Sequence, residues 1–255
     1  MPRQILGFVN AEAVAEYSAS EFLRRGRTAL AERGVFRVAL AGGSTPRRTY
    51  EMLAEPALAR QLDWPGVEVF FGDERSVPPD DQQSNYRSAH EALLSRVNVR
   101  DSAIHRMEGE HLDLSQAAAD YQATLARSFG TEPGARPPRF DLIMLGMGPD
   151  GHTASLFPKT RALGERQAWV VANDVPQLQT RRMTMTAPVL NAARCVMFSV
   201  AGADKADRLA EVLEGPRDVE RLPSQLIAPA DGDLLWLVDS AAAARLTSKP
   251  PAPSN

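Results

Sequence analysis

An acid and a histidine stand two residues apart in Leu145-Gly146-Met147-Gly148-Pro149-Asp150-Gly151-His152-Thr153-Ala154-Ser155-Leu156-Phe157-Pro158. Histidine is the side chain whose ordinary titration falls between about pH 5 and 8, which suits it to take a proton from water. A nearby carboxylate fixes which ring nitrogen carries the proton, so Asp150 and His152 are candidate catalytic residues. Gly146, Gly148 and Gly151 give this loop a flexible frame that a buried structural histidine would not need, and Gly151 is a candidate for close backbone approach to a ligand. A metal centre is a poorer reading, because Asp-x-His offers too few ligands and no partner cluster appears. His90, His105 and His111 have no comparable setting. His90 falls in a helical stretch and His111 in a charged turn, while His105 could end a strand near the site.

Two further segments could hold an anion. Ala41-Gly42-Gly43-Ser44-Thr45-Pro46 has glycines for a tight turn, Thr45 as a natural N-cap and Pro46 suited to the first helical position. Helix N-terminal amides beside the Ser44 and Thr45 hydroxyls would make an anion site, with Gly42 and Gly43 allowing close approach. Taken alone, the segment fits equally well as a plain turn from strand to helix. It is neither a dinucleotide fingerprint nor a P-loop. Gly72-Asp73-Glu74-Arg75-Ser76 follows an apolar run. Arg75 could donate bidentately to phosphate or sugar oxygens, with Asp73 ordering it or meeting a sugar hydroxyl. The alternative is a solvated loop with a local salt bridge.

Later cations extend the inventory. Arg181-Arg182 opens an alternating segment, and Lys205 falls in the first turn of a helix. A lysine there opposes the helix dipole unless an anion sits beside it; otherwise it is simply solvated.

These residues need a frame, and the apolar pattern supplies one. Strand-length runs at 35–40, 67–71, 140–145, 169–171, 195–200 and 234–238 alternate with helical patterns at 11–33, 45–53, 84–96, 114–129 and 203–213, and an alanine-rich helix closes the chain. Near-continuous apolar strands separated by helices predict an α/β fold with a mainly parallel sheet covered on both faces. Ligands in such folds bind beyond the carboxyl ends of the strands, so the loops after Leu40, Phe71, Leu145 and Val200 are where chemistry is expected. Pro133–Arg139 reads as a surface loop, residues 1–247 as one domain, and 248–255, with three prolines, as a disordered tail.

Composition narrows the function classes. A net charge of −3 and a pI of about 5.9 argue against a general nucleic-acid binder, yet allow an anionic substrate held by a few local cations. The single cysteine, Cys195, sits in an apolar run and excludes an internal disulfide. Four histidines and one cysteine leave no structural zinc spacing, and no cofactor is expected. The residues at the start lack the pattern of a signal peptide and no run spans a membrane, so no membrane partner and a cytoplasmic location are expected.

Five segments in order carry a resemblance: LAGGSTPRRTYEML, FFGDERSVPPDDQQSNYR, FDLIMLGMGPDGHTASLFP, RRMTMTAPVLNAARCVMFSVAGADKA and LLWLVDSAAAARL, spanning roughly residues 35 to 246. Together they resemble the family of 6-phosphogluconolactonases and glucosamine-6-phosphate deaminases. The resemblance implies a three-layer, Rossmann-like α/β fold. Deaminases of this family carry a catalytic glutamate soon after the histidine, where this chain has Ala154-Ser155-Leu156-Phe157-Pro158. Gly-Asp-Glu-Arg and Ser-Leu-Phe-Pro look like the lactonase branch. Lactonases usually show prolines before a single arginine in the fourth segment; here Gln179-Thr180 precede Arg181 and Arg182, and the register favours Arg182.

The resemblance implies metal-free hydrolysis of a phosphorylated sugar lactone, a small-molecule partner. His152 would activate water, oriented by Asp150 or a backbone carbonyl of its loop. Glycine-loop amides or Arg75 would meet the oxyanion, and Gly43, Ser44, Arg182 and Lys205 the phosphate. A monomer or weak homodimer is expected. Rival readings are a sugar-phosphate deaminase or isomerase of the same fold, and a non-catalytic sugar-phosphate sensor.

Overall fold

The computed structural model describes residues 3–132 and 134–253. In chain order its main elements are β1 (Gln4–Phe8), α1 (Ala11–Arg33), β2 (Phe36–Leu40), α2 (Ser44–Leu53), α3 (Pro56–Ala59), β3 (Val67–Phe71), β4 (Asp73–Arg75), α4 (Asn85–Ala89), α5 (Leu114–Phe129), β5 (Leu142–Leu145), β6 (Val170–Val175), β7 (Thr180–Met185), α6 (Ala187–Ala192), β8 (Cys195–Val200), α7 (Ala206–Glu214) and β9 (Asp233–Asp239).

The apolar runs become a six-stranded parallel sheet in the order β1-β9-β8-β5-β2-β3. Alternation along each strand sends side chains to two separate cores, because successive strand residues point to opposite faces. Leu142 and Met144 pack in the core under α1, α2 and α4, with Phe22, Tyr50 and Phe71. Ile143 and Leu145 pack in the other, under α5, α6 and α7, with Phe198 and Trp236, whose rings stack 3.8 Å apart. This is the expected three-layer α/β fold. Each fully buried side chain of this size contributes about 1.5–3 kcal/mol relative to exposure. Cys195 is buried in β8, and burial pushes its thiol up to about 12, so it stays protonated as a core residue.

Several boundaries differ from expectation for local reasons. The strand expected from Phe140 starts at Leu142, after Asp141 turns aside to bond Arg33 at 3.0 Å. The closing alanine-rich helix is only a 3₁₀ turn, Ala242–Arg245, started by Asp239 accepting from Ala242 N–H at 2.7 Å. The helix expected over 203–213 opens as a 3₁₀ turn, Ala203–Lys205, before α7. In the proline-rich tail, Pro251 accepts from Gly7 N–H at 2.8 Å; Asn255, Ser254 and Pro133 lie outside the described residues.

Asp73–Arg75, expected as a loop, is instead strand β4. It pairs antiparallel with β7, which pairs with β6, in a second, three-stranded sheet ordered β4-β7-β6. The alternation at 181–186 had the strand period, but nothing local to Asp73 announces its partner 111 residues away at Thr184.

Candidate active site

The main sheet changes direction at β2. The chain leaves β2 toward β3 on one side and later returns as β5 on the other, so the loops after β2 and β5 diverge and leave a crevice. A cavity of 340 Å³ opens there, and the second sheet forms its far wall.

The loop after β2 is anchored by the buried Tyr50 hydroxyl, which accepts from Ala41 N–H at 3.0 Å and donates to Ala41 C=O at 2.8 Å. Gly43, at φ +108°, is the N-cap of α2, and no side chain caps the helix. Thr45 is therefore not the cap but the second helical residue. Only glycine takes such a backbone angle readily, so the cap falls two positions earlier. The uncapped amides of α2 and the Ser44 and Thr45 side chains lie on the cavity wall, as an anion site requires.

The Asp73-Glu74-Arg75 run splits its charges by alternation. Glu74, 2% exposed, turns inward and accepts from the Arg75, Asn85 and Tyr86 N–H groups at 2.8, 2.7 and 2.9 Å and from the Ser84 hydroxyl at 3.1 Å. Burial, the largest influence, pushes its carboxyl above the usual range. It ties β4 to the start of α4 and does not line the cavity. Asp73 and Arg75 point the other way, into it. Asp73 accepts from the Ser155 hydroxyl at 2.7 Å and from Asn85 Nδ2 at 3.1 Å.

Arg75 pairs directly across the ladder with Arg182 on β7. Side chains directly opposite share a face, and like charges so placed are destabilising. Both arginine Nε atoms are buried without a hydrogen-bond partner. Burial, and then the charge of Arg75, hold the Arg182 guanidinium below its ordinary range. An anion between them would relieve all three penalties. Arg75 is steadied by donating to the Gln83 carbonyl. Arg181 points to the other face and bonds Asp174 at 3.0 Å, so Arg182 is the arginine of the pair on the cavity. Lys205 also lines the cavity, beyond β8, with Nζ 3.0 Å from Asp204.

His152 faces this cationic wall from the loop after β5. Its ring stacks on Phe157 at 4.0 Å, and Nδ1 lies 2.5 Å from Asp150 Oδ1. Burial would raise the Asp150 carboxyl, but the hydrogen bond and charge of His152 outweigh it and hold it below the usual range. An ionised carboxylate only accepts, so Nδ1 carries a proton, and in the neutral ring Nε2 is the nitrogen left to accept one. Gly148 makes this packing possible: a Cβ there would stand 2.1 Å from His152 Nδ1 and Cε1. Asp150 thus sits behind the histidine and does not line the cavity. Gly151 does not either. At φ +85° its carbonyl turns away to accept from Ser224 N–H and Oγ, each at 2.9 Å, which corrects its expected contact with a ligand. His105 stacks on Phe70 at 4.5 Å in the core, while His90 and His111 are exposed.

The chain as a whole has counterparts among known proteins. The model of the glucosamine-6-phosphate isomerase/6-phosphogluconolactonase family matches residues 9–236. The chain belongs to that family. A 6-phosphogluconolactonase from Synechocystis is 41% identical over 248 residues, covering 96% of this chain and 99% of the relative. One from Mycobacterium tuberculosis is 38% identical over 230 residues, covering 86% and 89%. The solved 6-phosphogluconolactonase from Trypanosoma cruzi superposes with a TM-score of 0.86 at 26% identity, covering 97% of this chain and 98% of that one.

Two cavity residues of this family member escaped the sequence reading as site residues. Ser155 follows His152 by three positions but is recognisable only through its bond to Asp73, 82 residues away. Asn85 stands in Ser84-Asn85-Tyr86, and spacing could not show that its amide is buried against the cavity.

Asp150 carries a prediction of its own. In Asp150→Asn the amide can donate to Nδ1, which moves the ring proton to Nε2 and removes the base. We expect kcat to fall about 10- to 1000-fold with a smaller change in KM, as loss of an orienting carboxylate does elsewhere. Steady-state kinetics on the folded variant check this; unchanged kcat would mean that a backbone group orients the ring.

Proposed function

We propose that this chain hydrolyses 6-phospho-D-glucono-1,5-lactone to 6-phospho-D-gluconate, the lactone-opening step of the pentose phosphate pathway, with His152 as general base. The reading makes it an enzyme, a carboxylic ester hydrolase, as its curated relatives are named. The observation that carries it is the placement of His152, Nδ1 held by Asp150, on one cavity with the Arg75–Arg182 pair, whose two Nε atoms are buried without a partner.

The lactone phosphate, with a charge of about −1.5 to −2, lies against Arg182, Lys205 and the uncapped start of α2. That contact sets the ring between the glycine loop and His152. Water attacks the carbonyl carbon and gives its proton to Nε2 as the oxyanion forms. The amides of the Gly42–Gly43 loop, with Arg75 beside them, meet the developing charge. Collapse breaks the bond between the carbonyl carbon and the ring oxygen, which takes the proton back from the imidazolium and stays in the opened chain as its C5 hydroxyl. The same molecule carries the new carboxylate, formed as its acidic proton is lost to solvent. Asp73, fixed by Ser155 and Asn85, is placed to meet a ring hydroxyl.

Among the described residues no helix is long and apolar enough to cross a membrane. A cytoplasmic location fits a substrate whose phosphate charge bars it from crossing a bilayer unaided.

Every step above falls to a side chain or backbone amide, so turnover should survive exhaustive chelation. The purified chain should release acid from the freshly generated lactone before and after chelator treatment, and no ammonia from glucosamine 6-phosphate. Loss of activity with chelator and recovery on adding a divalent ion would defeat the metal-free scheme. Ammonia release would move the chain to the deaminase branch.

A further inference from the structure

Asn85, the first residue of α4, is 2% exposed and lies on the cavity wall. Its backbone N–H is held by Glu74 at 2.7 Å. Its side-chain amide is held by Asp73, through the backbone carbonyl at 2.9 Å and Oδ1 at 3.1 Å. Both are acceptors, and a backbone carbonyl is one in every protonation state. The amide nitrogen must therefore face Asp73, and the orientation of this amide is fixed by chemistry rather than by the near-identity of its two ends.

That orientation turns Oδ1 away from Asp73, and Oδ1 is buried with no hydrogen-bond partner. It points toward Gly42, where a Cβ would stand 1.8 Å away. The glycine is what leaves room for this carbonyl. A buried acceptor without a donor is costly. Its other cavity neighbours that carry donors, Arg75 and Ser44, do not reach it. A ligand hydroxyl would satisfy it.

We infer that Asn85 is a specificity-determining residue whose side-chain carbonyl accepts a hydrogen bond from one ring hydroxyl of the phosphorylated lactone. The inference rests on the lactonase reading and deepens it. With the phosphate on Arg182 and Lys205 and the carbonyl carbon near His152, the floor formed by Gly42 and Asn85 receives the ring between them. A substrate with no donor at that hydroxyl leaves Oδ1 desolvated and unpaired, which a site built around a hydroxyl penalises heavily.

The test is a cycle between protein and substrate. kcat/KM would be measured for wild type and Asn85→Ala on the 6-phosphorylated lactone and on its 2-, 3- and 4-deoxy counterparts, with spontaneous hydrolysis subtracted. Wild type should lose about 10- to 100-fold on one of the three deoxy lactones. Asn85→Ala should lose a similar factor on the parent and no further factor on that deoxy lactone, while keeping wild-type discrimination against the other two. A residue that only braced Asp73 would cost the same factor on all four lactones, and that result overturns the assignment. So does a wild type that turns over all three deoxy lactones within about threefold of the parent, a result that needs no variant to fold. If wild type fails on the parent itself, the hydrolytic function falls, and the assignment falls with it.

Discussion

Replacing His152 by asparagine should lower kcat by about 10²- to 10⁴-fold with little change in KM. The ring supplies the only proton acceptor in the proposed chemistry, and asparagine keeps a polar side chain of similar reach without a basic nitrogen. Folding should survive, because the imidazole is a loop side chain, 25% exposed, that packs on Phe157 and not in either core. In wild type, kcat/KM should fall as pH drops, since a protonated Nε2 cannot take a proton from water. The sign for Asp150 separates the two groups. Its carboxyl is held below the usual range, so it stays ionised as pH falls through that range, and the acid limb belongs to the imidazole. That limb should vanish in His152→Asn. The lactone opens spontaneously, faster at high pH, so the uncatalysed rate must be subtracted at each point. A folded variant retaining more than about a tenth of wild-type kcat would contradict the role given to His152.

The second large effect is expected at Arg182. Removing one partner of a buried charge pair commonly costs about 2–5 kcal/mol, so Arg182→Ala should lower kcat/KM on the phosphorylated lactone by about 10²- to 10³-fold. The loss should appear in KM, because the phosphate is gripped alike in ground and transition states. Lys205→Ala should act in the same direction. On unphosphorylated gluconolactone both penalties should nearly disappear. Arg181→Ala is the internal control: its exposed pair with Asp174 at 3.0 Å predicts little change on either lactone. Equal penalties on both lactones for Arg182→Ala would mean that the cation pair does not hold phosphate.

Much of this site was legible in the sequence because parallel α/β folds put function where apolar strands end. The apolar runs at 35–40, 140–145 and 195–200 located the loops carrying Gly43, His152 and Lys205. The glycine-framed Asp150-x-His152 spacing also pointed to the proposed base and to the carboxylate beside its ring, because both lie in one turn.

What the sequence hid was long-range. Glu74 and Arg75 looked like equal members of a charged loop, and only the pairing of β4 with β7 sends one into the protein and the other toward Arg182. A three-residue strand has too few positions for alternation to register. Thr45 looked like the better cap because cap preferences describe side chains, whereas Gly43 wins through its backbone angle. Gly151 suggested close backbone approach to a ligand because it is a loop glycine, yet its carbonyl accepts from Ser224. Asn85 and Ser155 gain their meaning only by meeting at Asp73.

The central claim is that this chain opens a phosphorylated sugar lactone, and acid release from freshly generated 6-phospho-D-glucono-1,5-lactone tests it most directly. Followed in weakly buffered solution at neutral pH, release should accelerate above the spontaneous rate in proportion to enzyme and saturate with lactone. Release at the spontaneous rate, whatever the amount of folded protein, would contradict the account.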